Sequence, residues 1–535
     1  MLARSIEWAP LIGLAGLALA IRWPYLWDVP QFTDESVDIL WSYGIYQGKR
    51  PLTGFNAYTG PFHYYLQAAL FWLFGPSVYI PRLLVMVLGV GAVVATYLLG
   101  EEVGRALTPR SALVPNPSPS RGEGSVEPAE ARVRLAGRWA GLVAGGLLAT
   151  NASHIVASSH LAWPHSTLAL YLTLSFWLLE RALRLASGPL LVAAGLAFGL
   201  AQQQHPTILL LWPVFIAYVL WRGGWFFTTR WAYLAIAAFL IGTSPLVIYN
   251  LRSGLGSLRE SEEQRAAYQQ GRDKDFSYGG RAAEVLLTSA RLPASAIDQR
   301  PTAVDYLRDP TVLGYTALVL AGLGLTARLG LFGPLLAVLA FLVLLPLFPA
   351  SHDNLPRQAR YLMPMLPLVY AGVGGLAAWA AVRVRGHHRA ELGLAIAAIA
   401  LVGYPLLPLA SYYADIFAAG ETNARYFITL EAAERLRRAD EPVVLDPTLQ
   451  RDRPGAGATA QRTFDYLFTL RGVPHVTLEQ SSERLDRRVP GSTALAVADE
   501  SPSSVASLTN APTWRAEELP DAAPGGFALW RLSRR

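Results

Sequence analysis

Apolar positions along this chain gather into long runs, not into the alternating or short-period patterns of a water-soluble fold. A membrane-crossing helix needs about 20 mostly apolar residues. The first such run is Trp8 to Trp27, which follows Arg4 and lacks a small-residue cleavage pattern, so it reads as an uncleaved span. Further runs cover approximately 80–100, 139–155, 164–183, 189–205, 206–222, 231–250, 311–328, 331–349, 361–382 and 392–412. By the length rule that makes about 11 spans. Gln202-Gln203-Gln204-His205-Pro206 is the only break within 189–222. Beyond 413 the pattern changes. Glu421 to Arg438 reads as a helix, Pro442 to Leu445 as a strand, Arg462 to Leu470 as a helix, and His475 to Leu478 and Thr493 to Val497 as strands. The expected organisation is a transmembrane domain over 1–412 and a small α/β domain over 413–535.

Composition sharpens this picture. The 535 residues are 52% hydrophobic and 16% charged, which excludes a disordered chain, a coiled coil and an ordinary cytosolic enzyme. The absence of cysteine excludes disulfides, thiolate metal sites and a cysteine nucleophile. The net charge of +6 comes from basic residues that are almost all arginine. No basic run with interleaved aromatics occurs, so a nucleic-acid partner is not expected; the excess reads as membrane topology. Arg105 to Arg138, Arg181 with Arg184, Arg222 with Arg230, Arg328, and Arg383 to Arg389 all fall on one side if the N-terminus is cytoplasmic. Segments 28–79, 153–165, 252–310, 350–360 and everything after 413 then lie outside. The 252–310 stretch mixes both charge signs with apolar residues and reads as surface helices.

The first outer segment carries the strongest chemical signal. Asp34 and Glu35 follow the first span directly, and Thr33 can cap a helix whose first turn favours carboxylates. Capping is one reading of this pair. The other is a general base held at the level of a lipid head group by a short amphipathic helix with Val37, Leu40, Trp41 and Ile45 on one side.

The run TDESVDILWSYGIYQGKRP, then YTGPFHYYLQAALFWLFG, then Pro81-Arg82-Leu83, resembles the first outer loop of GT-C glycosyltransferases. It is most similar to the branch of bacterial protein O-mannosyltransferases and lipid A aminoarabinose transferases. Arg360-Tyr361-Leu362-Met363-Pro364-Met365-Leu366-Pro367 resembles the Arg-Tyr-Leu-x-Pro-x-x-Pro late in that family's membrane domain. The resemblance spans roughly 5–412 and implies a mainly α, polytopic GT-C membrane fold with amphipathic helices in the first outer loop. It implies a polyprenyl-phosphate-sugar donor, an envelope acceptor (protein, lipid or glycan) and an inverting reaction at the outer face of the bilayer. Asp34 would then be the base and Glu35 its assistant at acceptor or donor, with Arg82 and Arg360 on the lipid phosphate.

Two positions depart from the family. The family's second acid, between spans three and four, is replaced by His165, and its Lys-Pro-Pro by Gly60-Pro61-Phe62-His63. His63 and His165 then serve as hydrogen-bond donors, His63 toward the phosphate. His165, His205, Asp353, Arg357 and Tyr361 are the remaining candidates for substrate binding. The outer-side histidines, His154 and His160 among them, invite a metal reading. No pair has metalloprotease spacing, however, and no cofactor or divalent metal is required by the expected chemistry. Two other classes remain open at this point. One is a non-catalytic envelope protein that keeps the fold. The other is a lipid-linked sugar transporter, which would want more charges within its spans.

Overall fold

The computed structural model describes residues 2–29, 33–107, 126–270, 277–298, 300, 302–347, 361–419, 422–450, 460–478, 489, 491, 493–499, 513–519 and 527–535. The chain is mostly helical. Its first half runs through α1 (Leu2–Arg22), α2 (Thr33–Tyr46), α3 (Phe62–Phe74), α4 (Ile80–Ala106), α5 (Val126–Thr150), α6 (Ala152–Ser159), α7 (His165–Leu185) and α8 (Gly188–Gln204). In a bilayer an apolar helix satisfies its own backbone groups, which is why the long apolar runs become helices. Over the described residues each of the eleven runs read from the sequence falls mainly on a helix or on consecutive helices.

Fewer of these qualify as spans by length and apolarity alone. Among the described residues, five helices do: Ile80–Ala106, Pro206–Thr228, Pro310–Arg328, Met363–Val384 and His388–Ala418. Two bent pairs raise this to seven, namely Glu130–Thr150 with Ala152–Ser159 at 66° and Arg230–Gly242 with Ser244–Ser253 at 69°. Trp8–Arg22 and Phe332–Leu347 are apolar but shorter. Of the remaining two runs, α7 carries Glu180, Arg181 and Arg184, and α8 has only 17 residues, its three terminal glutamines included.

Small residues let the central helices touch. A Cβ on Gly104 of α4 would sit 2.3 Å from the Ala136 carbonyl of α5. One on Gly374, in helix Leu366–Val384, would sit 2.2 Å from that of Ala140. Helix α5 is therefore clasped between its neighbours at backbone contact, the packing that lipid-embedded helices favour where no hydrophobic drive exists between them. At its far end α5 turns at Asn151, which caps α6 through its side chain and donates to the Leu292 carbonyl at 2.7 Å and the Tyr370 hydroxyl at 2.9 Å.

The segment 252–310 holds Gly256–Gln270, Tyr278–Arg291 and Ala303–Leu307, the expected helices. Near the C-terminus, β1 (Val443–Leu445), β2 (His475–Thr477), β3 (Thr493–Asp499), β4 (Trp514–Glu518) and β5 (Phe527–Arg534) form a sheet in the order β2-β1-β3-β5-β4. β1 pairs in parallel with β2 and β3, while β5 runs antiparallel to β3 and β4. The sequence reading located the first three strands and missed the last two. Position 412 falls inside helix Leu406–Ala418. The sheet is not a free appendage. Phe464, Phe468, Tyr426, Val443 and Leu445 share one apolar core with Ile39 of α2, Phe71 of α3 and Val85 of α4. Asn423 donates from its backbone to the Asp28 carbonyl and from its side chain to that of Val29, at 2.9 and 2.8 Å. The first loop and the C-terminal sheet thus lie on the same side of the bundle.

Candidate active site

The acidic start of α2 is built around a buried ion pair. Glu35 has no exposed surface and Arg82 is 4% exposed. Arg82 Nε and Nη2 meet Glu35 Oε1 and Oε2 at 2.8 and 2.9 Å, a two-pronged guanidinium–carboxylate bond. Arg82 Nη1 donates to the Leu26 and Val29 carbonyls at 2.8 and 3.0 Å, and the Ala162 amide donates to Glu35 Oε1 at 3.1 Å. A cation is disfavoured at the N-terminal end of a helix, where Arg82 stands in α4, so the carboxylate is what holds it there. Burying the pair is tolerable because nearly every donor and acceptor is used. The resemblance assigns Arg82 to the lipid phosphate and Glu35 to substrate; in this structure the two bind each other and the backbone. Asp34 occupies the first turn of α2, and its side chain lies outside the described residues.

The next acid along α2 is also engaged. Tyr64 donates its hydroxyl proton to Asp38 Oδ1 at 2.6 Å. One turn further, Ser42 donates to Gln67 Oε1 at 2.7 Å, so the Gln67 amide nitrogen faces His63 Nε2 at 2.8 Å. That nitrogen accepts, which leaves the proton on Nδ1. His63 Nδ1 is buried and has no partner among the described residues. Burial lowers the His63 pKa to about 3, so the ring is a neutral donor throughout the physiological range.

The loop before α3 is pinned to the end of α8. The Gly60 amide donates to the Gln203 carbonyl at 2.7 Å and the Phe62 amide to Gln203 Oε1 at 3.2 Å, while Gln203 Nε2 donates to the Gly242 carbonyl. A Cβ at Gly60 would lie 2.5 Å from the Gln203 side chain, so only glycine fits there. The same end of α7 and α8 gathers three of the expected substrate-binding residues. The His165 and His205 rings are 4.3 Å apart between centroids, and His205 lies 5.2 Å from Tyr361. Trp163 adds a fourth ring, 5.5 Å from His165. Because Ala162 is bonded to Glu35, this aromatic group and the start of α2 share one neighbourhood. Asp353, Arg357 and Arg360 lie outside the described residues. Among the described residues no group of three His, Asp or Glu side chains is arranged to hold a metal ion.

One feature of this end escaped the sequence reading. Arg22 closes α1, and its side chain turns inward and is fully buried. It donates to the Ala18 and Ala149 carbonyls at 3.1 and 3.0 Å and meets His154 Nδ1 at 2.8 Å. His160 is likewise spoken for, between Ser159 Oγ, the Pro24 carbonyl and the Tyr413 hydroxyl. These two histidines are structural, and no local sequence signal distinguished them from His165 and His205.

Two comparisons bear on this arrangement. Residues 131–249, which include His165 and His205 but not the acidic pair, match the family model described as dolichyl-phosphate-mannose-protein mannosyltransferase. The structure of ArnT from Cupriavidus metallidurans bound to undecaprenyl phosphate superposes with a TM-score of 0.54 at 15% identity, covering 97% of each chain. The fold is similar to that of this ArnT over nearly the whole chain. The apo form of the same ArnT gives a TM-score of 0.48 at 16% identity over 99% of this chain and 98% of that one. An oligosaccharyltransferase from Archaeoglobus fulgidus, solved with zinc and sulfate, gives 0.48 at 12% identity over 97% of this chain and 73% of that one. No curated protein matches the chain by sequence. The GT-C resemblance first drawn from the loop after span one is therefore met twice, by sequence over 131–249 and by fold over nearly the whole chain.

Proposed function

We propose that this chain is a membrane glycosyltransferase that moves a sugar from a polyprenyl-phosphate donor to an acceptor at the outer face, with Asp34 as the general base. The observation that carries the reading is how the other acids of α2 are used. Glu35 is held by Arg82 and Asp38 by Tyr64, so proton transfer falls to Asp34. In the reaction Asp34 takes the proton of the acceptor hydroxyl or amine. The freed lone pair attacks the anomeric carbon as the bond to the phosphate oxygen breaks on the opposite face. The sugar inverts and the polyprenyl phosphate departs with the negative charge. No protonated acid is needed, because phosphate is already a good leaving group.

Cations and donors on the departing side stabilise that charge. Arg360 and Arg357 supply guanidiniums, which stay charged and can grip two oxygens. The Nδ1–H of His63 supplies a neutral donor without a partner among the described residues. His165, His205 and Tyr361 line the sugar side with ring faces, in place of the family's second acid. Glu35 acts as a positioning residue, since its bond to Arg82 fixes the first turn of α2. The arginine bias of the opposite loops supports an outward orientation of this end of the bundle.

The test is to incubate the purified full-length protein with a panel of labelled polyprenyl-phosphate hexoses and pentoses and a cell-envelope extract. Transfer of label from at least one donor to an envelope component is expected. No transfer from any of them, with the protein folded and in lipid, would contradict the reading.

A further inference from the structure

At the other end of α5 lies a cavity of about 470 Å³ that the transfer chemistry does not use. It opens between α5, the end of helix Leu366–Val384 and the start of helix His388–Gly403. Arg134, Arg138 and Arg385 reach it, over an apolar floor that includes Leu135, Val384 and Leu394. Arg138 and Asn151 are thirteen residues apart along the chain, which at 1.5 Å per helical residue is about 20 Å. The cavity therefore sits most of a bilayer core away from the candidate active site.

The charges there are unbalanced. Arg134 pairs with Glu130 at 3.3 Å across an exposed helical turn, an arrangement worth little. Arg138 and Arg385 have no ion pair among the described residues. The lining acid, Glu391, is taken up: it accepts from the Gly386 amide at 2.7 Å and lies 3.8 Å from His388 Nδ1. Trp139 also lines the cavity, a ring of the kind that sits at the head-group level. Nearby, Arg383 stacks on Trp379 at 3.6 Å and so is not part of the free set.

We infer that this cavity is a binding site for an anionic glycerophospholipid, with the phosphate between Arg138 and Arg385 and the acyl chains along Leu135, Val384 and Leu394. Basic pockets between helix ends at the cytoplasmic surface favour such lipids, because the guanidiniums meet phosphate while the apolar wall continues into the bilayer. A free anion would use only the cations and leave the apolar floor exposed. The inference stands whether or not the outer end transfers sugar.

The full-length protein, stripped in detergent and given phosphatidylglycerol or phosphatidylcholine, is read by native mass spectrometry for retained lipid. Phosphatidylglycerol should be retained about tenfold over phosphatidylcholine or better, since each arginine near the surface contributes about fivefold. The variant R138Q/R385Q should lose that preference, and R383Q should keep it. If the double variant does not fold, R385Q alone, at an exposed turn, should lower the preference about fivefold. Equal retention of the two lipids, an unchanged preference in the variants, or displacement of phosphatidylglycerol by millimolar inorganic phosphate would each overturn the proposal. The last result would mark a bare-anion site.

Discussion

Arg82 opens α4 and Arg138 lies midway along α5, beside the other end of α4, and the fold uses them in opposite ways. Arg82 is buried, bound by both prongs to Glu35, and its remaining bonds go to two carbonyls. Arg138 is half-exposed and meets no carboxylate among the described residues. At the first-loop end, buried charge is held by fixed partners, Arg82 by Glu35 and Arg22 by backbone carbonyls and His154, and it holds a shape. At the far end Glu102 is buried against Arg181 and Arg184, while Arg138 and Arg385 stay at the surface and remain available to whatever approaches. The difference separates arginines that build from arginines that can bind, and it cannot be read from residue type or spacing.

Breaking the matched pair should have the largest effect on stability. Glu35→Gln leaves a buried guanidinium without its counter-charge and should cost about 3–5 kcal/mol, as should Arg82→Ala from the other side. Thermal unfolding in detergent measures this. Replacing both by apolar residues of similar size should recover most of the loss, which would show that the cost lies in the orphaned charge. A small loss in either single variant would mean that the pair does not hold the loop.

His63 sharpens the comparison at the same end. Its pKa is lowered to about 3 by burial, against about 6.5 in the unfolded chain. Between those values the unfolded chain binds a proton that the fold does not, so stability should fall as pH drops from about 6.5 toward 3. The slope is about 1.4 kcal/mol per pH unit. His63→Gln should remove that component from the pH dependence of unfolding. A slope unchanged by the substitution would place the titration elsewhere.

The smallest effect belongs to the far end. Arg138→Gln should change unfolding by no more than about 0.5 kcal/mol, the usual range for a surface site without a partner. A loss comparable to that of Glu35→Gln would erase the distinction between the two ends.

Much of the architecture was legible because it follows from one-dimensional rules. Each apolar run became a helix, and the Gln-Gln-Gln-His-Pro break became the end of α8, with His205 in extended backbone before Pro206. β1, β2 and β3 were legible as short apolar runs between polar stretches. β4 was not, because Trp-Arg-Ala-Glu-Glu at the sheet edge buries only its tryptophan and shows no apolar run. The meeting of His165, His205 and Tyr361 was foreshadowed only as a list of candidates. What brings them together is the packing of α7 and α8 with the segment before Met363. The Glu35–Arg82 bond joins residues 47 apart, and no periodicity announces such a partner. The contact of the C-terminal sheet with the first loop was invisible for the same reason.

The most direct test of the account is Asp34→Asn in the donor-to-acceptor transfer assay, run beside the unsubstituted protein with donor binding measured separately. Asparagine keeps the size and the capacity to cap α2 but cannot take a proton. Turnover should fall about 10²–10⁴-fold with donor binding and melting temperature nearly unchanged. Full turnover in that variant would mean that Asp34 only caps its helix, and the proposed mechanism would be wrong.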